Sequence, residues 1–130
     1  MNHLIGLGSN WQPEEQIKKM VLLLQSLSDR LWVSDIQKTP ACGGADHTHY
    51  LNAVAVLETD HPPDLVRKHC KLYEKQLGRG MKKSPLVCEA DFDWLLCWDK
   101  NSYPDTTVIS QPYYASLACT VIRAWCSSSM

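Results

Sequence analysis

Polar and apolar residues follow two different periods along this chain. Four stretches either alternate between polar and apolar residues or are continuously apolar and bounded by turn residues, and both patterns are typical of β-strands. Two longer stretches repeat apolar residues every three or four positions, which predicts amphipathic helices. The predicted strands cover residues 3–8, 31–40, 50–59 and 89–98, and the predicted helices cover residues 13–28 and 61–77. A final stretch, 115–130, favours a short helix with a frayed serine tail.

The order of these elements, β-α-β-β-α-β, predicts an α+β fold of the ferredoxin-like kind. Such a fold has one antiparallel sheet with both helices packed on one face, and we expect the other face to be free for a ligand. Pro13 suits the first position of a helix, and Gly78 suits the end of one. Because 130 residues are enough for one domain with a buried core, we expect a single domain over residues 1–130.

Composition and charge argue against several classes of partner. Hydrophobic residues make up 45% of the chain and charged residues 21%, as in ordinary soluble domains. A formal net charge of -1 provides no basic field, so we predict no nucleic-acid partner. The longest apolar runs, such as MVLLL, are far shorter than a membrane span, so we predict no membrane partner.

The six cysteines form no recognisable disulfide or metal-binding pattern. No CxxC pair occurs, and Cys97 lies inside the apolar run WLLCW. The first ten residues, MNHLIGLGSN, lack the basic and apolar regions of a secretory signal. We therefore predict reduced core cysteines in a cytoplasmic protein, while the even count leaves a disulfide framework open.

Two aspartates, Asp91 and Asp93, lie near the start of the last predicted strand. Residues i and i+2 of a strand point to the same face, so the two carboxylates lie side by side and repel each other. Mg²⁺ prefers one or two carboxylates together with water and phosphate oxygens, and a pair of metal ions can bridge a nucleotide. The two interpretations are a Mg²⁺ site for phosphoryl transfer and a solvated strand start.

Basic residues precede these aspartates in a loop that contains glycines. Arg79, Lys82 and Lys83 suit the charge of a polyphosphate, and the glycines would let the loop close over a ligand. The alternative is a solubilising surface loop. Glu74, on the helix before the loop, either contributes to a nucleotide site or is simply exposed.

Asn52 lies inside a predicted strand, where a β-branched residue would pack better. Its side chain offers a donor and an acceptor side by side, which matches the edge of a heterocycle such as a pterin or a purine. The alternative is an asparagine on an edge strand that faces water.

Taken in order, these pieces resemble the hydroxymethyldihydropterin pyrophosphokinases of folate biosynthesis. The resemblance extends over residues 3–98 and identifies the chain as a divergent, C-terminally short member of that family. The matching segments are Gly8-Ser9-Asn10, Thr39-Pro40, Tyr50-Leu51-Asn52, Glu74, Gly78-Arg79 and Asp91-Phe92-Asp93. The resemblance implies the ferredoxin-like fold and a reaction that moves pyrophosphate from ATP to 6-hydroxymethyl-7,8-dihydropterin, with release of AMP.

The resemblance also implies Mg²⁺ as the cofactor, ATP as the cosubstrate and roles for individual residues. It assigns Asp91 and Asp93 to two Mg²⁺ ions, and it assigns Thr39, Pro40 and Asn52 to the pterin. It assigns Glu74 and Arg79 to the nucleotide, and Arg79 and Lys82 to catalysis in a mobile loop. We expect the pterin and ATP to be its small-molecule partners. We expect a monomer, with a dimer as the alternative.

Several cations of the family pattern are replaced in this chain. Cys88 and Met81 occupy two arginine positions before the aspartates, Tyr113 replaces a histidine, and Cys119 falls near a further arginine. Each charged contact of this kind contributes about 1.5–3 kcal/mol. The cations that could replace them are Lys71, Lys82, Lys83 and Arg123. Two functions follow: a pyrophosphokinase with impaired turnover, or a non-catalytic relative that binds a pterin, a nucleotide or a partner.

Overall fold

The structure, a computed structural model, describes residues 1–40, 49–82 and 86–128 of the chain. Its strands are β1 (Asn2–Ser9), β2 (Arg30–Val33), β3 (Gln37–Pro40), β4 (His49–Glu58) and β5 (Asp91–Trp98). Its helices are α1 (Pro13–Leu27), α2 (Pro63–Gln76) and α3 (Pro112–Ser128), with a 3₁₀ turn at Thr106–Val108. The predicted α+β class is confirmed. One residue of the predicted basic loop, lysine 83, lies outside the described residues.

All of these strands join one antiparallel sheet in the order β2-β4-β1-β5, with β3 also paired to β4. The predicted single strand 31–40 is therefore wrong, because it is divided into β2 and β3. Ser34 explains the division. Its N–H donates to the Val54 carbonyl at 2.8 Å, and its Oγ accepts from the Val54 N–H at 2.9 Å. A side-chain oxygen thus replaces a backbone acceptor, and the chain bends before pairing resumes.

Helices α1 and α2 pack on one face of the sheet, as predicted. Their apolar stripes meet the inward residues of β1, β4 and β5 in one buried cluster. The central members of this cluster are Ile5, Leu7, Ile17, Met20, Leu24, Ala55, Leu57, Val66, Cys70 and Phe92. Period-2 strands and period-3.6 helices each present one apolar face, so the two patterns meet in a single layer.

The opposite face of the sheet is covered by α3, so the expectation of a free face is wrong. This helix begins at Pro112 and has 17 residues, which makes it longer than the predicted short helix. It packs on β1, β4 and β5 through a second buried cluster. The residues in contact are Leu4, Val54, Val56, Leu96 and Trp98 of the strands and Tyr114, Leu117, Ala118, Val121, Ile122 and Trp125 of α3. Within the described residues, no helix is long and apolar enough to cross a membrane.

The cysteines that the structure describes are free thiols, but only one belongs to the core. Cys70 is buried between α2 and the sheet, whereas Cys119 is exposed on α3. Cys88, Cys97 and Cys126 are partly buried. The prediction of reduced cysteines is thus confirmed for these five, and the prediction that most of them are core residues is wrong.

Candidate functional site

The end of β1 brings two separately predicted sites together. Gly8 lies opposite Asn52 of β4 on one side and opposite Asp91 of β5 on the other. Gly6, two residues earlier on the same face, lies opposite Asp93. The predicted pterin residue and the predicted metal residues therefore lie on the same sheet face, on the two strands that flank β1.

The two aspartates lie side by side, as the strand pattern predicted. Both are partly buried, and the Asp91 side chain is 26% exposed. Burial raises the pKa of Asp93, and the hydrogen bond and negative charge of Asp91 act in the same direction, so that together they raise it to about 7. A carboxyl pair whose second charge is suppressed in this way favours a cation between its members.

This donor set fits Mg²⁺. Within the described residues, no group of three or more His, Cys, Asp or Glu side chains could enclose a metal ion. Asp91 and Asp93 would therefore be joined by water or by the phosphate oxygens of a ligand. That arrangement is what Mg²⁺ prefers, since it keeps several waters and uses one or two carboxylates.

Arg79 links the loop after α2 to the start of β5. Its Nη1 donates to Asp91 Oδ1 at 2.8 Å and to Glu74 Oε2 at 2.9 Å. Burial alone lowers the pKa of Arg79, but the hydrogen bond to Asp91 and the charge of Glu74 raise it above its ordinary value. The guanidinium is therefore held in the charged form between two carboxylates.

Glu74 is buried, so the alternative that it is an exposed helix residue is wrong. Its side chain is 6% exposed, and its Oε2 also accepts from the Phe92 N–H at 2.7 Å. The position follows from helix geometry, because Glu74 lies four residues after the core residue Cys70 and shares its face. Glu74 thus joins α2, the loop and the start of β5.

The loop between α2 and β5 is held by hydrogen bonds with two residues to which the sequence interpretation assigned no role. The Glu89 carboxylate accepts from the N–H groups of Gly80 at 3.1 Å and Lys82 at 3.0 Å. Burial raises the pKa of Glu89, but these backbone hydrogen bonds lower it overall. Asn10 donates to the Leu86 carbonyl and accepts from the Cys88 N–H, both at 2.6 Å. No local pattern marks these contacts, because Asn10 is 76 and 78 residues from its partners and the contacts of Glu89 depend on how the loop folds back.

The predicted catalytic residue Lys82 lies against the start of the chain. Its ammonium sits over the Trp11 ring, 4.6 Å from the ring centroid. This cation–π contact helps to hold the loop against the β1–α1 turn. The Lys82 side chain is exposed, and it is the Arg79 side chain that contacts the carboxylates of Asp91 and Glu74.

Asn52 is buried, and its amide is already oriented. It lies on β4, which is an inner strand, so the alternative of an edge-strand asparagine that faces water is wrong. Its Nδ2 donates to Thr39 Oγ1 at 2.7 Å, which joins two predicted pterin residues. Pro40 follows at the end of β3, opposite His49.

Tyr114 is a site residue that the sequence interpretation missed. It is fully buried under Gly6, and a Cβ atom on Gly6 would lie 2.5 Å from its Cζ. Its hydroxyl is buried with no hydrogen-bond partner in the described part of the chain. Burial raises the pKa of Tyr114, and the charges of Asp93 and Asp91 raise it further. A glycine inside a buried strand is the one sequence signal of this close approach.

A cavity of about 310 Å³ lies beside Asp93, between α2 and β5. Its wall carries two cations of α2, Arg67 and Lys71, together with the Trp94 ring. The Arg67 guanidinium lies 3.9 Å from the centroid of that ring. Lys71, one of the predicted replacement cations, is therefore next to the carboxylates, whereas Arg123 is exposed on α3.

The raised pKa of Asp93 predicts a pH dependence of stability. The folded protein holds a proton on Asp93 up to about pH 7, whereas an unfolded chain releases it near 3.8. As the pH rises from 4 to 7, the free energy of unfolding of the wild type should therefore fall relative to Asp93→Asn. Urea titrations at four pH values, without divalent cations, measure this difference. Parallel pH profiles for the two proteins would contradict it.

A comparison with known protein families agrees with this arrangement. The family model described as 7,8-dihydro-6-hydroxymethylpterin-pyrophosphokinase (HPPK) matches residues 4–122. The match includes most of β1, the loop after α2, the two aspartates and most of α3. The chain therefore belongs to the 7,8-dihydro-6-hydroxymethylpterin-pyrophosphokinase family, the pterin pyrophosphokinases of folate biosynthesis.

Proposed function

We propose that this protein transfers pyrophosphate from ATP to 6-hydroxymethyl-7,8-dihydropterin in a Mg²⁺-dependent reaction that releases AMP. The observation that carries the proposal is the register at Gly8, with Asn52 on one side and Asp91 on the other. A pterin amide edge at Asn52 would lie next to the carboxylates that hold the metal. Transfer between bound substrates needs positioning and neutralised charge more than a covalent nucleophile.

Each side chain has a separate task in this proposal. Asn52, oriented by Thr39, hydrogen-bonds the pterin. Asp91 and Asp93 hold Mg²⁺, which when bound neutralises the phosphate charge and orients the transferred group. Arg79 supplies a further positive charge at the phosphates, anchored by the buried Glu74.

The cavity beside Asp93 supports an enzyme over a non-catalytic relative. Two of the family's loop arginine positions are occupied by Cys88 and Met81, which cannot pair with phosphate. Arg67 and Lys71 bring positive charge to the same region from α2. We therefore propose a working but slow pyrophosphokinase. The free thiols in the described part of the chain suit a cytoplasmic location, where cysteines stay reduced.

Pterin-dependent release of AMP tests the proposal. Purified protein is mixed with Mg²⁺, ATP and 6-hydroxymethyl-7,8-dihydropterin, and AMP is measured by chromatography. Omission of the pterin, or chelation of the metal, should reduce AMP to the background. Folded protein that releases no AMP would exclude catalysis, and a pterin titration would then test the alternative of a binding protein.

Replacement of Asn52 by Ala should weaken pterin binding about ten- to a hundredfold, since one or two buried hydrogen bonds to the ligand are lost. The affinity for ATP should stay unchanged, because Asn52 lies on the opposite side of Gly8 from Asp91. Calorimetric titration with each ligand measures both. Asn101→Ala, an exposed asparagine beyond β5, is the matched control. An equal loss of affinity for both ligands would contradict the assignment.

A further inference from the structure

One carboxylate of the proposed metal site already has a positive partner within the chain. Arg79 Nη1 lies 2.8 Å from Asp91 Oδ1, 2.9 Å from Glu74 Oε2 and 3.3 Å from the Ala90 carbonyl. A divalent cation that binds Asp91 would meet this guanidinium at close range. Two positive charges on one partly buried carboxylate repel strongly, because a partly buried site screens charge less than water does.

We propose that Arg79 is an internal competitor for the divalent cation at Asp91, and that nucleotide binding relieves this competition. This inference rests on the proposed function and adds a coupling between its two ligands. In the protein without nucleotide, Arg79 occupies Asp91 and the cation binds weakly. When a nucleotide is present, its phosphate oxygens accept the hydrogen bonds of Arg79, and Asp91 becomes available to the cation.

The surroundings of Arg79 allow this exchange of partners. Its side chain is 42% exposed, and it lies between Gly78 and Gly80, which have φ values of 88° and 84°. A Cβ atom on Gly80 would meet no atom within 4 Å, so the backbone there is not enclosed. The second contact of Arg79 is with Glu74, which does not need to move in this exchange. Glu74 is buried and also accepts from the Phe92 N–H, so it keeps Arg79 near the site after Asp91 is released.

Competition for Asp91 can be distinguished from general repulsion between positive charges by the size of its effect on cation affinity. Removal of one positive charge near a cation site should raise the affinity for the cation slightly, wherever the charge lies. Removal of the charge on Arg79, which directly contacts the metal ligand Asp91, should raise the affinity for the cation much more. It should also reduce the increase in cation affinity that the nucleotide brings, because the part of that increase that comes from the release of Asp91 is lost, while the phosphate oxygens still bind the cation.

Mn²⁺ titrations followed by electron paramagnetic resonance test the proposal without any turnover. The wild type should bind Mn²⁺ weakly alone and at least tenfold more tightly with α,β-methylene-ATP, a nucleotide that cannot transfer pyrophosphate. Arg79→Gln should bind Mn²⁺ alone at least tenfold more tightly than the wild type, and the further gain from the nucleotide should be smaller than in the wild type. Arg123→Gln, which removes the same charge from an exposed position on α3, should behave as the wild type.

Equal Mn²⁺ affinity of Arg79→Gln and Arg123→Gln in the absence of nucleotide would overturn the proposal. Addition of Asp91→Asn to Arg79→Gln should remove the gained affinity, and its persistence would also overturn the proposal, because the cation would then bind elsewhere. If Arg79→Gln does not fold, Arg79→Lys serves in its place, and its single ammonium should compete less than the guanidinium. The failure of this inference is separable from the failure of the proposed function, since these titrations need neither pterin nor AMP release.

Discussion

Replacement of either aspartate by asparagine should reduce pterin-dependent AMP release about a thousandfold, equivalent to about 4 kcal/mol of transition-state stabilisation. Asp91 and Asp93 supply the only paired carboxylates on this face of β5 in the described structure, and an amide neither carries the charge nor binds Mg²⁺ comparably. Initial rates at saturating ATP measure the loss. Asp99→Asn, an exposed aspartate just after the same strand, should keep the wild-type rate.

The same two variants should differ in stability, which separates the loss of a metal ligand from general damage. Asp93→Asn should be at least as stable as the wild type at pH 7.5, because it removes a carboxylate whose ionisation is opposed by burial and by Asp91. Asp91→Asn should be less stable, because Arg79 loses a charged partner at 2.8 Å. Thermal unfolding without divalent cations measures both. Equal destabilisation, or an unchanged rate in either variant, would contradict the assignment.

Replacement of Gly6 by Ala should destabilise the protein by about 1–3 kcal/mol, through overpacking against α3. The added Cβ would lie 2.5, 2.6 and 2.9 Å from three atoms of the Tyr114 ring, which is fully buried and cannot rotate into solvent. Because Gly6 shares a face with Gly8, which lies opposite Asn52, we also expect the pterin affinity to fall. Urea unfolding measures the first effect and pterin titration the second.

A second substitution tests whether Tyr114 is the cause. Tyr114→Leu removes the ring atoms that the new methyl group meets, so the double variant should lose less stability than the sum of the two single variants. Gly8→Ala is a graded comparison, since its Cβ would lie 3.1 Å from Asn52 Oδ1 and 3.4 Å from the Tyr114 hydroxyl. Strict additivity in the double variant would show that the crowding has another origin.

The local patterns predicted most elements correctly because each depends on neighbours in the chain. Helix α1 begins at Pro13, and α2 ends at Gln76, just before Gly78. The division of the strand 31–40 was not predictable, because it depends on hydrogen bonds between Ser34 and Val54, twenty residues away. The length of α3 was visible in principle, since its buried residues recur at helical spacing from Tyr114 to Trp125.

Some features of the candidate site were also predictable from local pattern, and others were not. The sequence alone determined that Asp91 and Asp93 share a face and that Asn52 is a polar residue inside a strand, since both follow from strand alternation. It also carried enough ordered motifs to indicate the family. Only the tertiary structure decided which groups meet: Asn52 beside Gly8, Arg79 on Asp91, and Tyr114 over Gly6. These contacts join residues that are far apart in the chain, and their energies depend on burial and distance, which no local pattern contains.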